Sequence, residues 1–164
     1  MRRIKHGSSK KEEISKQLRT LQSRWKDLIE KMTKRNVPIP ARERANDVLN
    51  QLEAFTSMFK ELAYGDRSKY GENKLTEFKN ITQTLLNSLR SIKTNITKKN
   101  KKLTAFFLGS VRLKSEPGPD IVATVERLTG VTHMEIMNSW LLLRDTADKI
   151  TDKIKEAVAI IHKI

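Results

Sequence analysis

Residues 132–161 read THMEIMNSWLLLRDTADKITDKIKEAVAII, and this stretch decides the fold. Its apolar residues are Ile136, Trp140, Leu143, Ala147, Ile150, Ile154, Ala157 and Ile161, spaced 4, 3, 4, 3, 4, 3 and 4 apart. That alternation is the seam of an amphipathic helix packed along its whole length against other helices. Thr132 and Glu135 precede the seam as a capping box, each satisfying a donor of the first turn. A helix over about 132–163 is predicted.

Working outward, the same period recurs three more times. Ile14, Leu18, Leu21, Trp25, Leu28 and Met32 predict a helix over about 10–35, opened by a Ser9–Glu12 capping box and stopped at Asn36-Val37-Pro38-Ile39-Pro40. Val48, Leu52, Phe55, Phe59 and Leu62 predict one over about 41–63. Leu75, Phe78, Ile81, Leu85, Leu89, Ile92 and Ile96 predict one over about 74–98. The apolar run Leu103-Thr104-Ala105-Phe106-Phe107-Leu108 either prolongs that helix or forms a separate turn. A shorter helix is expected over about 119–129, with Pro119 in its first turn and Gly130 just past its end. The fold class is all-α: an elongated antiparallel bundle of three long helices plus one or two shorter ones. Residues 9–164 form a single helical-bundle domain, and residues 1–8 a basic, flexible tail.

Composition agrees. Glycine (6) and proline (4) are scarce in 164 residues, and there is no cysteine, which excludes disulfide scaffolds, thiolate metal sites and cysteine nucleophiles. No apolar run approaches the ~18 residues of a spanning helix. The basic start Met1-Arg2-Arg3-Ile4-Lys5-His6 leads into no apolar stretch of the secretory kind. An intracellular protein, cytoplasmic or nuclear, is expected.

The formal net charge is +14, from 33 basic and 19 acidic side chains. It is unevenly spread. Residues 1–35 carry 12 basic and 4 acidic groups and residues 73–118 carry 10 and 2, whereas 36–72 (5 and 6) and 119–164 (6 and 7) are nearly balanced. Such an excess suits a polyanionic partner. Lys16, Arg19, Lys26 and Lys34 cluster on the back of the first helix, and Lys79, Arg90 and Lys93 form a stripe beside the seam of the third. If those helices are neighbours, the two sets make one basic surface ending at Lys98, Lys99, Lys101 and Lys102. Lysine is a point charge suited to phosphates rather than to paired contacts with base edges. Backbone contact with RNA or DNA is therefore the first expectation, with Phe106 and Phe107 as possible stacking platforms or simply as filler of the bundle end. An adaptor that binds another protein, or itself, through incompletely closed seams is the second. Peripheral attachment to an anionic membrane is the third.

Other chemistry finds little support. Val125 to Ile136, with Gly130 in its turn, has the outline of a helix-turn-helix, but Thr132, His133, Glu135 and Asn138 give its reading helix no cation before Arg144. His6, His133 and His162 stand far apart and lack metal-ligand or triad spacing, and no glycine-rich phosphate loop occurs. Neither enzyme activity, metal nor cofactor is expected. Leu21-Gln22-Ser23-Arg24-Trp25-Lys26-Asp27-Leu28 is similar to the first helix of spectrin-type repeats. The likeness covers one helix, and the second half of the chain departs from the repeat pattern. Asp145, Asp148, Asp152 and Glu156 make an acidic stripe on the last helix, available to pair with the first or third helix or with another copy.

Overall fold

The computed structural model describes residues 2–65, 72–107 and 130–163, with side chains over 10–65, 72–99 and 130–163. Four helices account for nearly all of it: α1 (Arg2–Lys34), α2 (Arg42–Tyr64), α3 (Glu72–Phe107) and α4 (His133–Lys163). Three run to 33, 36 and 31 residues and α2 is shorter at 23. At ~1.5 Å per residue α3 spans about 54 Å. No helix among the described residues is long and apolar enough to cross a membrane.

The helices form an up-down-up-down bundle. α1 packs against α2 and α4, and α3 packs against the same two, so α1 and α3 lie across a diagonal from each other. Side-chain bonds give the directions. Lys11 Nζ donates to the carbonyl of Ala63 at 3.0 Å, joining the N-terminal part of α1 to the end of α2. Lys74 pairs with Glu61 at 2.7 Å, the start of α3 against the end of α2. Arg35 meets Glu135 at 3.5 Å, the close of α1 against the start of α4.

The α4 seam is buried throughout as its spacing predicts, and so is that of α2. In α1 the seam drifts: Ile29 is buried and Leu28 only half-buried. A straight helix has 3.6 residues per turn, so a strict 3.5 pattern slides off the core unless the helix supercoils. In α3, Leu75 and Ile81 pack on the flank of the core rather than within it. Phe55 and Phe78 stack at 5.2 Å between ring centroids and clip α2 to α3. Trp25, fully buried, donates its indole N–H to the carbonyl of Ala45 at 2.8 Å, so its polar edge is satisfied inside the core.

The turn after α1 closes one end. Val37 N–H donates to Met32 O at 2.9 Å and Asn36 N–H to Thr33 O at 3.2 Å, with Asn36 at φ +60°. This is a Schellman motif whose left-handed position is filled by asparagine, the side chain that tolerates it best after glycine. The helix thus ends through its own cap before the prolines are reached. Val37 and Ile39 then plug the core, and Trp140 of α4 donates its indole N–H to Pro38 O at 2.8 Å.

Two boundaries differ from expectation. α1 begins at Arg2, so residues 2–8 are helical backbone rather than a flexible tail, and Ser9 lies inside the helix instead of capping it. α3 continues to Phe107, so the apolar run from Leu103 prolongs it. The helix expected over 119–129 lies outside the described residues. At the start of α4 the cap is as read: Glu135 N–H donates to Thr132 Oγ1 at 3.1 Å, and Gly130 takes φ +71°, where a side chain would be strained.

Candidate polyanion-binding face

The diagonal placement of α1 and α3 separates the two cationic sets. Lys16, Arg19, Lys26 and Lys34 are exposed on α1, and Lys79, Arg90, Lys98 and Lys99 are exposed on α3. They do not merge into one surface, because α2 and α4 stand between the two helices on either side. Positions 101, 102, 106 and 107 continue the α3 backbone, and the side chains of Lys101, Lys102, Phe106 and Phe107 lie outside the described residues.

The α1 set turns toward α2. Lys16 and Arg19 line a hollow with Lys60 and Tyr64, together with Glu12 and Glu13. Arg19 and Lys26 line the next hollow with Leu49 and Glu53. Each hollow therefore places carboxylates beside its cations. At the end of this groove, desolvation pushes the Tyr64 phenol above its usual pKa, and the nearby Glu12 carboxylate adds to the rise. The Lys11 ammonium sits 5.9 Å over the same ring, close enough to be attracted by its negative face.

Of the α3 set, Lys79, Arg90 and Lys93 turn toward α4. Lys93 Nζ meets Asp148 Oδ1 at 2.8 Å, which fixes the register of this antiparallel pair. From that anchor, the side of α3 facing α4 is occupied by Arg90, Leu86 and Lys79 at steps of 3, 4 and 7. The matching side of α4 carries Arg144 four residues before Asp148, and Thr151, Lys155 and His162 after it. Lys79 and His162 line one cleft at the far end of this face, as the register requires. Arg90, Arg144 and Lys155 are exposed. Lys79, Arg90, Arg144 and Lys155 thus border a single groove about 27 Å long. Its carboxylates are Asp148, already occupied by Lys93, and the exposed Asp152 one turn on, which makes no ion pair among the described residues.

Two further features keep this groove cationic. From Phe78 to Phe107, α3 has seven basic residues (Lys79, Arg90, Lys93, Lys98, Lys99, Lys101, Lys102) and no Asp or Glu. On α4, two other members of the acidic stripe are neutralised within their own helix, Asp145 by Lys149 at 3.2 Å and Glu156 by Lys153 at 2.8 Å. These exposed pairs add little stability, ~0.2–1 kcal/mol each. Their consequence is on the surface field, since they remove negative charge from beside the groove.

Lys93 therefore spends its charge on Asp148. Arg144, Lys155 and Lys60 are cations that the segment totals hide, because the stretches holding them are almost neutral. Their signal is positional: Arg144 and Lys155 sit 4 before and 7 after Asp148, on one side of the helix. Among the described residues no cluster of three or more His, Asp or Glu is placed to hold a metal ion. Comparison of the chain with protein-family models, with curated proteins and with solved structures finds no match.

Proposed function

We propose that this chain is a non-enzymatic protein that binds the phosphate backbone of a nucleic acid along the α3/α4 groove. The observation that carries the proposal is the line of Lys79, Arg90, Arg144 and Lys155, in which cations outnumber the carboxylates Asp148 and Asp152. Nucleic acids present closely spaced negative charges, one per ~1.7 Å along duplex DNA, so a ~27 Å row of separated cations can engage several at once. The row holds two lysines and two arginines and contains no paired Asn or Gln for reading base edges, which favours backbone contact with little sequence preference. The α1 cations form a weaker second surface, tempered by Glu12, Glu13 and Glu53. A cysteine-free composition fits an intracellular setting, cytoplasmic or nuclear.

One observation favours a protein partner as a second reading. Met134, Leu141 and Leu142 are large apolar side chains half or more exposed on α4, as on an adaptor surface. The heptad positions of α2 and α4 are buried within the one chain, while Leu28 of α1 and Leu75 and Ile81 of α3 are partly exposed.

A titration of the full chain against duplex DNA, single-stranded RNA and anionic liposomes, at low and near-physiological salt, tests the proposal. Engagement of four or five phosphates gives a log–log salt slope of about −4 on duplex DNA. Equal affinity for all three polyanions, or binding that vanishes near physiological salt, would contradict a nucleic-acid site.

A further inference from the structure

Where α3 begins and α4 closes, the two helices part over a cleft of about 460 Å³, within the usual range for small-molecule sites. Phe78 and Ile161 form its floor and are almost fully buried, while Leu75 and Val158 form half-buried walls. Of the polar groups along it, Thr82 donates its hydroxyl to Phe78 O at 2.7 Å and Gln83 donates its amide to Asn87 at 3.0 Å, while Thr76 and His162 stand at its rim. Lys79 is different. It lines the cleft, is exposed, and has no ion-pair partner among the described residues. No Asp or Glu lines the cleft.

We propose that this cleft binds an amphiphilic monocarboxylate, an unbranched acyl chain of medium length whose carboxylate rests on Lys79. The apolar lining takes the chain, and a single unneutralised cation at the edge takes a single negative charge. The lining on α3 runs from Leu75 to Gln83, about 12 Å along the helix axis, close to the length of an extended ten-carbon chain, and Lys79, midway along it, can bring its ammonium to one end on its flexible four-carbon stem. Each methylene removed from water contributes up to ~0.8 kcal/mol, so the apolar walls supply most of the affinity and Lys79 the orientation. This proposal does not rest on the nucleic-acid reading, but Lys79 borders both surfaces, so the two ligands would compete for it.

Isothermal titration of the full chain with sodium decanoate tests it, with circular dichroism to show that each variant is folded. The expected result is saturable one-to-one binding, abolished in Val158→Trp, where the indole fills the cleft, and weakened about fivefold in Lys79→Glu. The neutral analogue 1-decanol is expected to bind about fivefold more weakly than decanoate and to be indifferent to Lys79→Glu. Absence of saturable decanoate binding, or wild-type affinity in both folded variants, would overturn the proposal. Equal affinity for decanol and decanoate would overturn the role of Lys79. The nucleic-acid proposal is read separately, because Val158→Trp leaves Arg90, Arg144 and Lys155 in place.

Discussion

Across the bundle from one another run two grooves built alike, each between antiparallel helices and each bordered by cations. The α1/α2 groove has Lys16, Arg19, Lys26 and Lys60, interleaved with Glu12, Glu13 and Glu53. The α3/α4 groove has Lys79, Arg90, Arg144 and Lys155, with two carboxylates beside them, Asp148, which is occupied by Lys93, and Asp152. Their counts of positive side chains are similar, so cation number does not distinguish them. What differs is where the carboxylates stand. In the first groove they face the same hollows as the lysines. On α4, Asp145 and Glu156 are turned onto lysines of their own helix. A polyanion meets the summed field of a groove, and a carboxylate a few ångströms from a lysine cancels most of what that lysine offers in water.

The largest expected effect comes from breaking the frame that keeps the grooves apart. Trp25 is fully buried and bonded to Ala45 O. Trp25→Ala is expected to lower stability by about 3–5 kcal/mol through the cavity and the lost bond, measured as a shift in the urea midpoint at unchanged slope. Next is the double reversal Arg90→Glu with Arg144→Glu, which places negative charge on both sides of the α3/α4 groove. Single-stranded RNA affinity is expected to fall roughly a hundredfold, about 2.8 kcal/mol, by fluorescence anisotropy at fixed salt. The matching reversal in the other groove, Lys16→Glu with Lys26→Glu, changes the same net charge by the same amount and is expected to cost less than about threefold. The smallest effect sharpens the role of pairing. Asp148→Asn frees Lys93, and affinity is expected to rise about two- to threefold while stability falls by no more than ~1 kcal/mol.

The four amphipathic helices and their core were legible because burial repeats with the helix. In α4 all eight seam residues are buried where the spacing places them, and the Thr132 cap forms as the capping box requires. The slip from Leu28 to Ile29 in α1 shows the limit of a heptad template on a straight helix. The candidate face was legible only in halves. Lys79 and Arg90 announce themselves through the acid-free run of α3. Arg144 and Lys155 do not, since their segment totals −1 and carries an acidic stripe. Which helix stands beside α3 is a tertiary fact, and amphipathic seams of one kind are compatible with more than one neighbour. The expected union of the α1 and α3 cations rested on adjacency, and the bundle places those helices on a diagonal.

The measurement that tests the central claim most directly compares three proteins, the wild type and the two double reversals, on one labelled single-stranded RNA between ~50 and ~200 mM salt. With four or five phosphates engaged, the wild type should show a log–log slope of about −3. The Arg90→Glu, Arg144→Glu protein should lose roughly a hundredfold in affinity and bind with a shallower slope, while the Lys16→Glu, Lys26→Glu protein stays within about threefold of wild type on a parallel line. Equal losses in the two doubles would mean that net charge alone attracts the RNA, and wild-type affinity in the Arg90→Glu, Arg144→Glu protein would remove the α3/α4 groove from the account altogether.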